Sequence, residues 1–217
     1  VTRIFVGSIK AIRQTGTPSG INKEEVREPV FCSSLGFKGD MQADLSVHGG
    51  PDKAVHYYPS SHYAELQRFF PEIVSNLQPG SLGENLSYHL FDESNVRIGE
   101  VWKVGEVYFQ ITQPRHPCWK IDAKFATKGL TAFITEQLLT GWYFKVLEPG
   151  LVSPNDSWQR VESSNCRFTV REVQEICRQH RPKVEDLDHI SSTAGIAKRW
   201  SHTLIERLRW IEAHPHI

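Results

Sequence analysis

The stretch "NVRIGEVWKVGEVYFQITQPRHPCWK", Asn95 to Lys120, constrains this chain most. Gly99-Glu100 and Gly105-Glu106 read as turns, and between and after them β-branched and aromatic residues recur at every second position. Val107, Phe109 and Ile111 fall on one face, the period of a half-buried strand. Two or three short strands are therefore expected, paired through tight turns. The last strand runs into Pro114, Arg115, His116, Pro117 and Cys118. Two prolines fix φ around one thiol and bias the residues before them to extended backbone. The result is a stiff loop at a strand end, where functional side chains are often held.

The other segments extend a β-rich pattern. "RIFVGSIKAI" alternates between polar turns, and "DSWQRVE" reads as another short strand. Two helices are inserted: "PSSHYAELQRFF", with Tyr63, Leu66, Phe69 and Phe70 at helical spacing, and "LTAFITEQLLTGW", with a Gly141 stop. Many short strands with few helices predict a mainly β fold, a closed or partly closed barrel, over residues 1–164. The composition changes near Ser163. Thr169 and Glu172 stand in capping-box spacing, Val170, Val173, Ile176 and Cys177 form an apolar stripe, and Trp200, Leu204, Leu208 and Ile211 form a second. Residues 165–217 are therefore expected to form a small three-helix domain, marginal alone and packed on the barrel or on a second copy in a homodimer.

The charge balance limits partners. Lys plus Arg equals Asp plus Glu, so bulk electrostatic binding of nucleic acid is not expected and any electropositive site is local. The Arg and Trp residues of the last helix fit a solvated helix with buried tryptophans. No apolar run reaches the about eighteen residues of a membrane span. The opening "VTRIFVGSIKAI" is too interrupted for a signal peptide, so a cytoplasmic location is expected. Cys32, Cys118, Cys166 and Cys177 form no Cys-x-x-Cys pair and read as reduced thiols.

Three segments carry candidate chemistry. Cys118 has Arg115, His116 and Lys120 close in sequence, and cationic neighbours favour the thiolate that binds metals or attacks. A buried structural cysteine is the competing reading. "VHGGPDKAVHYYP" puts His48, Gly49, Gly50, Lys53 and His56 around a turn whose backbone N–H groups and lysine suit an anion. A loop with solvent-facing histidines fits it too. "GSLGENLSY" offers Glu84 as a base and Asn85 as a donor and acceptor, or simply a tight turn entering a strand. The spacings of common zinc sites, nucleotide loops and Gly-x-Ser-x-Gly elbows are absent, and a Cys118–histidine nucleophile with His48 or His56 as base stays open.

"VHGGPDKA", "GENL" and "QPRHPCWK", in that order, resemble the MOSC domain, the C-terminal domain of molybdenum-cofactor sulfurases. "ESNV", the Gly141-Trp142 pair and the helical tail make the resemblance closer to stand-alone bacterial members of the YiiM type. The resemblance implies a MOSC-type β-barrel that binds the molybdenum cofactor (molybdopterin), with Cys118 as the thiolate ligand of molybdenum. It implies reduction of N-hydroxylated compounds, such as nucleobase analogues, with electrons from a separate flavoprotein. Arg115, Lys53, Gly49, Gly50, His56, Asn85 and Lys120 are the candidates to hold the cofactor. His48, His56 and Glu84 are unranked candidates for the proton that N–O cleavage needs. The competing function is a sulfur carrier or cofactor-binding module that holds a persulfide on Cys118.

Overall fold

The computed structural model describes residues 1–45 and 48–214. Its first strands are short: β1 (Arg3–Val6), β2 (Lys10–Ala11), β3 (Pro18–Ser19), β4 (Glu24–Val26), β5 (Val30–Ser33) and β6 (Gly36–Phe37). Next come β7 (Val55–Pro59), α1 (His62–Phe69), β8 (Leu86–Tyr88), β9 (Val101–Val104) and β10 (Val107–Pro114). Helices α2 (Lys120–Phe125) and α3 (Leu130–Glu136) separate β10 from β11 (Trp142–Glu148), β12 (Gly150–Val152) and β13 (Trp158–Glu162). The chain ends in α4 (Val170–Arg178), α5 (Val184–Ser191) and α6 (Lys198–Ala213).

Eight strands form one sheet in the order β13-β9-β10-β11-β7-β8-β1-β4, with β7 and β8 its parallel neighbours. A closed or partly closed barrel was expected; among the described residues this sheet has two ends, β13 and β4, and no closed barrel is found. A separate three-stranded sheet, β12-β5-β6, packs against β10 and β11. The reason lies in the strand lengths. Strands of two to four residues around β1–β6 offer too few ladder bonds to carry the large sheet round to its other edge.

The expected hairpin is present: β9 and β10 pair antiparallel across Gly105-Glu106, and Val107, Phe109 and Ile111 are fully buried. Two central strands, β7 and β11, were not expected. Every residue of β7 is buried, so its pattern is continuous and lacks the alternation that marks a half-exposed strand. Its successive side chains still point to opposite faces. Tyr57 stacks on Trp142, ring centroids 4.3 Å apart, in the main core, while Tyr58 lies in a second core with α1, α2 and α3. The main core runs without interruption from Ile4, Phe109 and Phe144 to Val170, Val173, Leu187 and Leu204, so the C-terminal helices are part of it. The Thr169–Glu172 capping box forms as expected. No described helix is long and apolar enough to cross a membrane.

Candidate active site

The cysteine loop is held at both ends. Arg115 N donates to Gly141 O at 3.0 Å, which continues the pairing of β10 with β11 beyond Pro114. After Pro117 the chain turns into α2, and Ile121 N donates to Cys118 O at 3.0 Å. Asp122 then accepts from Thr131 N, Thr131 Oγ1 and Gly129 N at 2.7, 2.6 and 3.0 Å, which fixes α2 to the start of α3. Cys118 thus sits, partly exposed, between a strand end and a pinned helix.

It opens onto a half-open cleft. His48, Gly49, Lys53, His56, Asn85, Arg115, Cys118 and Lys120 all contribute to the cleft wall. The full wall runs from Ser19 to Tyr143, so segments more than a hundred residues apart in sequence converge here.

Arg115 is only 7% exposed. Its Nη2 donates to Leu82 O at 3.1 Å, whereas Nη1 is buried without a partner. His56, in β7, is 5% exposed, and its Nε2 is likewise buried without a partner. Burial, followed by the Arg115 charge, holds the His56 imidazole well below its usual pKa, so it is neutral. His48 is pushed in the same direction by burial and then by Lys120, Arg115 and Lys53. Two unsatisfied buried donors or acceptors in one cleft are costly unless a ligand completes them.

Asn85 lines the cleft, but its amide is committed to the fold: Oδ1 accepts from His56 N at 3.1 Å and Nδ2 donates to Phe5 O at 3.2 Å. Glu84, considered as a proton donor, is tied into the fold. It lies outside the cleft wall, fully buried, with Tyr63 Oη, Gly80 N and Leu82 N donating to it at 2.6, 2.5 and 3.1 Å. Burial raises its pKa against those bonds. Gly50 also stands outside the wall, so of the glycine pair only Gly49 reaches it.

Several wall residues were not expected. The arm from Ser19 to Lys23 and the segment Asp40 to Ala43 form one side. Gly20 is needed where they cross, because a Cβ there would lie 2.0 Å from Met41 O. Lys23 and Asp40 form a buried ion pair, and Asp40 also accepts from Gly7 N and Gln42 Nε2 at 2.9 and 3.0 Å. No local pattern marks these residues, since their pairing is set by strand crossing over a long sequence separation. Tyr143 also lines the cleft, and Lys53 Nζ lies 5.7 Å from its ring centre. Among the described residues no group of three or more His, Cys, Asp or Glu is arranged to hold a metal ion. A metal at Cys118 would have to arrive with ligands of its own.

The family description of the MOSC domain matches residues 44–159, a span that includes His48, Cys118 and Tyr143. The protein YiiM of Escherichia coli (strain K12) is 36% identical over 205 residues, 94% of this chain and 90% of that one. The crystal structure of YiiM from Escherichia coli superposes with a TM-score of 0.80 at 28% identity, covering 95% of this chain and 90% of the other. A protein named Reductase from Gibberella moniliformis (strain M3125 / FGSC 7600) is 33% identical over 74% of this chain, which is 28% of that protein's own length.

Proposed function

This chain belongs to the MOSC-domain family and is similar to YiiM over nearly its whole length, and from that premise we propose that it is a molybdenum-cofactor-dependent oxidoreductase that reduces N-hydroxylated compounds. The observation that carries the reading is the pair of partnerless buried atoms, Arg115 Nη1 and His56 Nε2, in the cleft that Cys118 opens onto. They fit a polar, anionic group such as a pterin with a phosphate arm. Arg115 offers a fork of donors suited to phosphate. Lys53 and Lys120 add charge, and Gly49 lets the group approach the backbone closely.

When bound, the molybdenum cofactor supplies two-electron chemistry at a metal already held by sulfur. Cys118 is the soft ligand suited to such a metal, and its pinned loop keeps that ligand in one position. Reduction of an N–OH group to N–H releases water and consumes two electrons and two protons. Of the three residues considered for a proton, Glu84 lies outside the cleft wall, whereas His48 and His56 both line it and both have lowered pKa values. Electrons come from a separate flavoprotein. A relative named Reductase agrees with this class of chemistry.

Protein made in a host that synthesises the cofactor tests the reading, with reduced viologen dye as electron donor and an N-hydroxylated nucleobase analogue as substrate. The expected result is dye oxidation by the wild type and none by Cys118→Ser. Full molybdenum loading without dye oxidation would overturn the reductase reading. A persulfide on Cys118 in metal-free protein would favour the sulfur-carrier role.

A further inference from the structure

An outer cavity adjoins the cleft and shares His48, Lys53, Cys118, Lys120 and Tyr143 with it. His116 and Trp119 of the cysteine loop form part of its wall, and so does Arg199, the second residue of α6. Asp52 brings this last residue in. Its Oδ2 accepts from Lys198 N at 3.0 Å, and its carbonyl accepts from Thr112 Oγ1 at 2.6 Å. Ala197 N donates to Thr112 O at 3.1 Å. The turn that carries Lys53 and the start of α6 are thus tied to the same strand. Burial and then the Arg199 charge lower the Lys53 pKa, so the two cations act on one space.

We propose that the outer cavity is the substrate site and that it prefers a planar ring carrying a phosphoryl group, a nucleotide over the unphosphorylated nucleoside. This rests on the reductase reading above. Three cationic side chains, Lys53, Lys120 and Arg199, face one carboxylate, Asp44, in the same wall. Cationic forks and ammonium groups recognise phosphoryl oxygens through charge-assisted bonds. Trp119 is 55% exposed in this wall, so it presents an aromatic face on which a base can stack, whereas Tyr143 lies largely buried beside it. An exposed tryptophan beside cations, at the mouth of a cleft, suits a ligand with one flat apolar part and one anionic part. The C-terminal helices then have a role in specificity through Arg199.

The test is titration of the cofactor-loaded protein with adenosine 5′-monophosphate and with adenosine, followed by calorimetry and tryptophan fluorescence. Adenosine 5′-monophosphate should bind at least about tenfold more tightly, the gain expected of charge-assisted bonds. Arg199→Ala should remove most of that preference, leave adenosine binding unchanged and retain the cofactor. Trp119→Ala should weaken both ligands. Equal affinity for the two ligands would overturn the proposal. Loss of pterin from Arg199→Ala would also overturn it, because the cations would then serve the cofactor's own phosphate. Selective nucleotide binding without reduction of any N-hydroxylated form would support the site and refute the reductase reading, so the two failures are distinguishable.

Discussion

His56 shows how surroundings set a side chain's state. Its ring is enclosed by β7, Tyr58 and Tyr143, and the Arg115 charge acts on it. In the unfolded chain it titrates near 6.5; in the folded protein its pKa is well below that. The unfolded state therefore takes up the proton first as pH falls. The stability linked to His56 is fully present above about 6.5 and is lost below it, at up to about 1.4 kcal/mol per pH unit for one proton. Unfolding free energy measured in urea from about pH 7.5 down to pH 5 should fall less steeply in His56→Gln than in the wild type. His48 titrates in the same direction, so the slope should shrink without vanishing. Identical slopes would show that His56 is not held neutral. At this scale much of the site was legible in sequence. Cys118, Arg115, His48, Lys53 and His56 announce themselves through prolines, glycines and charge. The burial of Glu84 was not legible, because a carboxylate next to a cleft residue has the same sequence appearance whether it lines the cleft or caps a turn.

Elements were legible where periodicity or capping is local. The β9–β10 hairpin and the α4 capping box each depend on residues a few positions apart. β7, β11 and the arm that carries Lys23 were not, since fully covered strands lack alternation and their pairing spans long separations. Gly141 is the joint between these elements. Its φ of 68° lies in the left-handed region, and a Cβ there would meet Tyr57 O at 2.2 Å. Its N–H donates to Glu93 Oε1 at 2.6 Å, and Glu93 Oε2 bonds His62 Nε2 at 2.6 Å. Its carbonyl accepts from Arg115 N. Gly141→Ala should therefore destabilise the protein by at least about 2 kcal/mol, through strain and a backbone clash. A shift in the denaturant midpoint at unchanged m-value checks this. A neutral result would mean that β7 and β11 can separate at no cost. Because the same joint anchors Arg115, the variant should also retain less cofactor.

Across the whole molecule, one apolar core joins the large sheet to α4, α5 and α6, and the second core seats α1, α2 and α3 behind the cleft. The cysteine loop lies where these parts meet. The N-terminal arm forms one wall of the cleft, the Gly49–Lys53 turn and β7 another, and Arg199 borders the outer cavity. Such a site depends on the fold as a unit, which is why its far wall could not be read from motifs. The central claim is that this cleft retains a molybdenum-bearing pterin through Arg115 and Cys118. Molybdenum and pterin content per chain tests it most directly, measured on the wild type and Cys118→Ala from a host that makes the cofactor. The account predicts near-stoichiometric molybdenum and pterin in the wild type, with molybdenum weakened or lost in Cys118→Ala. A wild type that holds neither would contradict it.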